Sequence, residues 1–190
     1  MIVLKQIEFP QVFFKHRLES LAKGGTFFIL INELGKRLSN NVYTYYSFGS
    51  GNNNESENLV LLSKCIEQRF SQHIIDSCKE SHKRDYLYGR NKFEQDWHLV
   101  HVPCIIDKHT GNEIIIAEEY SYANIYDNII KISKNSNATL YNKSGEILYE
   151  GDTSSIHVNK NYIITTPYGW KDDDHFLVFS RKEGKKIAEY

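Results

Sequence analysis

Apolar positions follow two different rhythms along the chain. In the N-terminal half they recur at helical steps. Pro10 suits the first turn of a helix whose apolar face is Val12, Phe13, Phe14, Leu18 and Leu21, with Gly24 and Gly25 as its stop. The stretch TFFILINELGKRL (26–38) supports two readings, since Leu30, Leu34 and Leu38 keep helical spacing while FFILI suits a buried strand. VYTYYSF (42–48) has strong β-propensity, and GSGNNNES (49–56) is a loop. Leu59, Leu62, Ile66, Phe70, Ile74 and Cys78 then form one stripe at three- and four-residue steps. That stripe predicts a helix ending near Ser81, with Asn54, Glu55, Ser56 and Glu57 capping its start. From Trp97 onward, HLVHVPCII, NEIIIAEEY, NIIKIS, ATLYN, GEILYEG, SIHV, NYIITT and FLVFSR are short β-branched or aromatic runs separated by Asn, Gly, Asp and Ser. The predicted class is α+β: a mainly helical part, 1–93, packed on an antiparallel meander of stacked hairpins, 94–190. The two parts are expected to share one core, giving a single compact unit, 1–190.

The β half carries an internal repeat. CIIDKHTGNEIII (104–116), TLYNKSGEILYE (139–150) and LVFSRKEGKKIAEY (177–190) share an apolar pair, a polar turn with Lys or Arg, a glycine, then isoleucine. Their glycines, Gly111, Gly145 and Gly184, stand 34 and 39 residues apart, the length of one supersecondary unit in an array. Each is predicted to supply the positive φ of a hairpin turn. On these residues, IYDNIIKISKNSNATLYNKSGEILYEG (125–151) resembles the WG-type bacterial β-repeat, and VFSRKEGKKIAEY resembles the closing hairpin of a WD-type propeller blade. The tryptophan pairs that name those families are absent from the expected places. The resemblance, confined to 97–190, implies stacked hairpins and a recognition role, and no chemistry.

Composition narrows the partners. With 23 Lys plus Arg against 24 Asp plus Glu the formal charge is −1, so an electrostatic partner must be met by a local patch. Thirteen tyrosines and ten phenylalanines against one methionine point to a rigid aromatic core, with tyrosine left for surface recognition. The three cysteines, Cys65, Cys78 and Cys104, have no metal-type spacing and read as reduced buried thiols. The N-terminal stretch MIVLKQIEFPQVFFKHRL lacks an uninterrupted apolar region and a small-residue cleavage site, so the expected compartment is the cytoplasm.

Four groups of residues carry candidate chemistry. His98 and His101 would share a helix face but fall on opposite faces of a strand, the conformation their neighbours favour, so no metal is assigned. His16, His82 and His157 with Lys83 or Arg84 contain the residue types of a histidine-dependent nuclease or phosphodiesterase, without its paired motif. Lys83, Arg84, Tyr86, Tyr88 and Arg90 form a basic, aromatic stretch suited to phosphates and bases, diluted by Glu80, Asp85, Glu94 and Asp96. In TPYGWKDDDH (166–175), Tyr168 and Trp170 stand beside Asp172, Asp173 and Asp174, an aromatic anchor with fixed negative charge for a basic protein partner. Phosphate-cradling, nucleophile-elbow and zinc-protease motifs are absent, and no catalytic residue or cofactor is assigned. The expected function is a non-catalytic protein-binding module. In its Asn/Lys/Ile-rich usage and β-repeat half, the chain resembles in type the bacterial immunity proteins that occlude a cognate toxin. The alternatives are a nuclease acting on RNA or nucleotides and a nucleic-acid-binding protein.

Overall fold

The computed structural model describes residues 1–7, 26–46, 54–69, 72, 97–166 and 176–190, with 97–99 as backbone alone. Among the described residues fourteen strands form three sheets whose neighbours are all antiparallel and follow chain order. The first sheet comprises β1 (Ile2–Ile7), β2 (Phe27–Asn32), β3 (Val42–Tyr45), β4 (Leu59–Arg69), β5 (Trp97–Asp107) and β6 (Glu113–Ile116). The second holds β7 (Tyr122–Tyr126), β8 (Ile129–Lys134), β9 (Asn137–Asn142) and β10 (Ile147–Asp152). The third holds β11 (Ile156–Val158), β12 (Tyr162–Thr165), β13 (Leu177–Ser180) and β14 (Lys185–Glu189). Among the described residues no helix is long and apolar enough to cross a membrane.

This architecture overturns the α+β expectation. The predicted helix beginning at Leu59 is the eleven-residue strand β4, paired residue for residue with β5 from Leu59↔Asp107 to Arg69↔Trp97. Its supposed cap is a turn, in which Ser56 N–H donates to the Leu59 carbonyl and Leu61 N–H to that of Asn54. The misreading has a physical origin. Leu62 packs inside the first sheet, whereas Leu59 and Leu61 pack outward against the second. A strand buried on both faces loses the alternation that marks a half-buried one, and Leu59, Leu62 and Ile66 then mimic a helical stripe. The ambiguous stretch FFILI resolves as strand β2 for the same reason, with Phe27 through Leu30 all buried. The predicted helix over 10–25 lies outside the described residues.

The first sheet closes on itself. In a flat sheet β1 and β5 would stand four strand spacings apart, roughly 19 Å. Yet the Ile2 N–H donates to the Lys108 carbonyl, just beyond β5, at 2.7 Å. Inside the curl lie Leu30, Tyr43, Leu62, Cys104 and Ile106, with Ile2, Leu4 and Val60 against them. Gly111 sits at the seam with φ +77°, where a Cβ would stand 2.6 Å from Leu38 Cδ1 and 3.2 Å from Ile2 Cγ2. Only glycine supplies both the conformation and the space.

The three sheets pack in series. The outer face of the first, through Tyr46, Leu59, Leu61 and Ile105, meets Ala123, Ile125 and Ile130 of the second. The other face of the second, through Ile129, Ala138 and Leu140, meets Ile156, Ile163 and Phe179 of the third. The strands expected beyond Trp97 lie where the sequence places them, and Gly111, Gly145 and Gly184 all have positive φ in hairpin turns. Gly35 is a fourth such glycine, in the N-terminal half. There Asn32 Oδ1 accepts from the Leu34 and Lys36 amides, as Asn142 Oδ1 does from Ser144 and Glu146 in the Gly145 turn.

Candidate functional site

Tyr168, Trp170, Asp172, Asp173 and Asp174 lie outside the described residues, as do Lys83, Arg84, Tyr86, Tyr88 and Arg90. The strands flanking the acidic segment are firmly tied: Thr166 N–H donates to the Ser155 carbonyl at 2.7 Å, and Phe176 and Tyr190 exchange two backbone hydrogen bonds of 2.8 and 2.9 Å. Positions 98 and 101 stand three apart in the uninterrupted β4–β5 ladder and so on opposite faces. Among the described residues no group of three or more His, Cys, Asp or Glu side chains is placed to hold a metal ion.

Among the described residues a polar constellation that the sequence pattern does not reveal lies inside the curled first sheet. Glu113 on β6 accepts from three donors carried by distant segments: Tyr43 Oη at 2.5 Å, Asn41 Nδ2 at 2.7 Å and Lys64 Nζ at 2.7 Å. Lys64 and Glu113 are only 15% and 17% exposed. Burial pushes the Glu113 carboxyl up, but the Lys64 ammonium and the hydrogen bonds from Tyr43 and Asn41 outweigh it and leave it below its ordinary range. Burial, reinforced by Glu113, drives the Tyr43 phenol well up, and burial does the same to the Cys104 thiol. These shifts keep Glu113 ionised and Tyr43 and Cys104 protonated. A buried carboxylate paired with an ammonium and accepting three hydrogen bonds serves as a structural acceptor.

A second cluster lies on the opposite face. The Cys65 Sγ is 3.7 Å from His101 Nδ1, and Thr44 Oγ1 is 3.4 Å from the same nitrogen. Cys65 and His101 are directly opposed across β4–β5. A Cys–His nucleophile works as thiolate and imidazolium. Here burial pushes the thiol up to about 12 and the imidazole down, favouring the neutral form of both. The contact resembles a catalytic dyad in its atoms and opposes one in its electrostatics.

The junction between the first and second sheets presents recognition chemistry instead. Tyr46 Oη donates to the Ser121 carbonyl at 3.3 Å and accepts from the Ala123 N–H at 3.0 Å. One phenol thus satisfies two backbone groups on the outer edge of β7, as a neighbouring strand would, and blunts that edge. Beside this clamp, Tyr120 holds φ +62° and is 81% exposed, and Tyr122 is 55% exposed. Positive φ at tyrosine has no sequence signature, so the linker 117–121 could not be singled out beforehand. No protein-family model matches this chain, and neither does any curated protein.

Proposed function

We propose that this chain is a non-catalytic protein-binding module, of the kind a cell uses as a cytoplasmic immunity protein to occlude the active site of a toxin. The observation that carries the reading is Tyr120, a strained and solvent-facing aromatic beside a clamped backbone. A non-glycine residue at positive φ costs about 1–3 kcal/mol and persists where its surroundings over-determine it, typically at sites of contact. Exposed tyrosines on rigid supports are the side chains from which binding hot spots are built. Within the described sheets, Glu113 is engaged by Lys64, Tyr43 and Asn41, and burial favours the neutral forms of Cys65, Cys104 and His101, which fits a scaffold.

The sheet edges favour contact through side chains over strand addition. The β5–β6 and β9–β10 ladders carry register shifts, β14 presents Lys185 and Lys186, and β7 is capped by Tyr46. A partner would therefore meet the tyrosines and the 166–175 segment, whose three aspartates suit a basic surface. The test is co-expression with the product of an adjoining toxin-like reading frame. Growth should be rescued by the chain and lost on combining Tyr120→Ala with Asp172→Lys and Asp174→Lys. Undiminished rescue by the triple variant, or turnover of RNA or nucleotides by the purified chain, would overturn the reading.

A further inference from the structure

The middle of the second sheet holds a lysine where a β-strand in this setting ordinarily carries an apolar residue. Lys131 lies on β8 between Ile130 and Ile132, opposite Asn124 on one side and Leu140 on the other. The ladder puts Tyr122, Asn124 and Tyr126 of β7 on one face with Ile129, Lys131 and Ser133 of β8, the face that Ile129 and Leu140 turn toward the third sheet.

Three adjacent polar side chains on this face, Tyr122, Asn124 and Lys131, make no hydrogen bond or ion pair among the described residues. By contrast, Asn41, Asn58 and Asn128 all donate to named acceptors, and the strand lysines Lys64 and Lys134 each face a carboxylate, Glu113 at 2.7 Å and Glu118. Lys131 is half-buried, and burial alone lowers its ammonium, with no carboxylate entering to offset it. Nearby acids are committed: Asp127 to Arg181 at 3.1 Å and Glu118 to Lys134. A half-buried cation with an amide and a phenol beside it, none of them engaged by another described residue and all reaching solvent, is available to a ligand from outside the chain.

We propose that Lys131, Asn124 and Tyr122 form a contact site for a carboxylate side chain of a protein partner. One ammonium, without a guanidinium fork, matches a single negative charge better than a phosphate dianion. Arg181, whose Cζ stands 5.6 Å from the centroid of the Tyr126 ring, is engaged by Asp127 and by the Asn159 carbonyl. The site lies at the β7–β8 margin of the face whose centre packs on the third sheet, on the edge strand and bordered by exposed Tyr122, a setting for a macromolecular surface, whereas small-molecule sites are enclosed and concave. The inference rests on the binding-module reading and adds a second, oppositely charged contact to the one expected at the 166–175 segment.

The test is selection of a random dodecapeptide phage library on the purified chain, on Lys131→Met and on a control, Lys143→Met, in an exposed turn. The chain and the control should enrich peptides with Asp or Glu at a fixed position by at least about tenfold in titre, a margin of one decade in affinity. Lys131→Met should lose that preference. Its Tm should rise by about 2 °C or more, since Met fills the space without a desolvated charge. No acidic consensus, or the same consensus on Lys131→Met, overturns the site. A fall in Tm for Lys131→Met also overturns it, by showing that the ammonium is already paired within the chain. If growth rescue succeeds while the acidic consensus fails, only this site is lost; the reverse outcome removes the toxin partner and keeps the site.

Discussion

Glu113 shows how far a single side chain governs this protein. Its three donors come from the loop before β3, from β3 and from β4, so one carboxylate stitches together segments 49 to 72 residues from it along the chain. Glu113→Gln removes the charge but leaves Lys64 inside the curl, and stability should drop by about 2–4 kcal/mol in chemical denaturation near neutral pH. The pH dependence has a definite sign. Because the folded carboxyl titrates below its ordinary range, its contribution is full above the unfolded value of 4.5 and is lost as pH falls through the lower folded value. The unaltered chain should therefore lose stability steeply below about pH 4, with a smaller loss in Glu113→Gln measured by the same titration. The turn glycines of the C-terminal half are legible residue by residue, because their φ requirement is local. Glu113 and Lys64 are not, since their meeting depends on the closure of a sheet, and no local pattern encodes that.

Among the elements, β4 is the instructive case. A helical reading puts Leu62 on the buried stripe and leaves Leu61 off it, yet both side chains are 1% exposed in cores on opposite sides of the strand. Leu61→Ala and Leu62→Ala should accordingly cost about the same, roughly 2–4 kcal/mol each by denaturant titration. A negligible loss at Leu61 would contradict the two-sided strand. Strands such as β8 and β9 announce themselves because Asn and Gly turns punctuate their short apolar runs. β4 is an unbroken eleven-residue strand buried on both faces, so Leu59, Leu62 and Ile66 imitate a helix, and this is why the C-terminal strands were legible where β4 was not. The two-residue loops at Asp127 and Asn135, with φ +55° and +56°, follow the local rule that Asp and Asn tolerate this conformation.

For the molecule as a whole, the order first sheet, second sheet, third sheet sets a gradient of protection. The second sheet contributes through β8 and β9 to a core on each face, so the amides of those strands should exchange most slowly with deuterium. Amides of the third sheet, which shares a core through one face, should exchange earlier. Faster exchange at Ile130 and Leu140 than at Ile163 and Phe179 would refute the serial arrangement. Neither the stacking order nor the junction bearing Tyr120 was readable from periodicity, because both depend on which faces meet after the strands have formed.

The curl of the first sheet has one more consequence, for anyone who would rebuild the molecule. Modular stacks need terminal units that do not seek another neighbour, and this chain makes one by rolling a sheet until its own first strand seals the opening. Lengthening the pile at that end would mean unrolling it, whereas grafting a further four-strand module after β14 would leave the seal intact. The fold is thus extensible in one direction only.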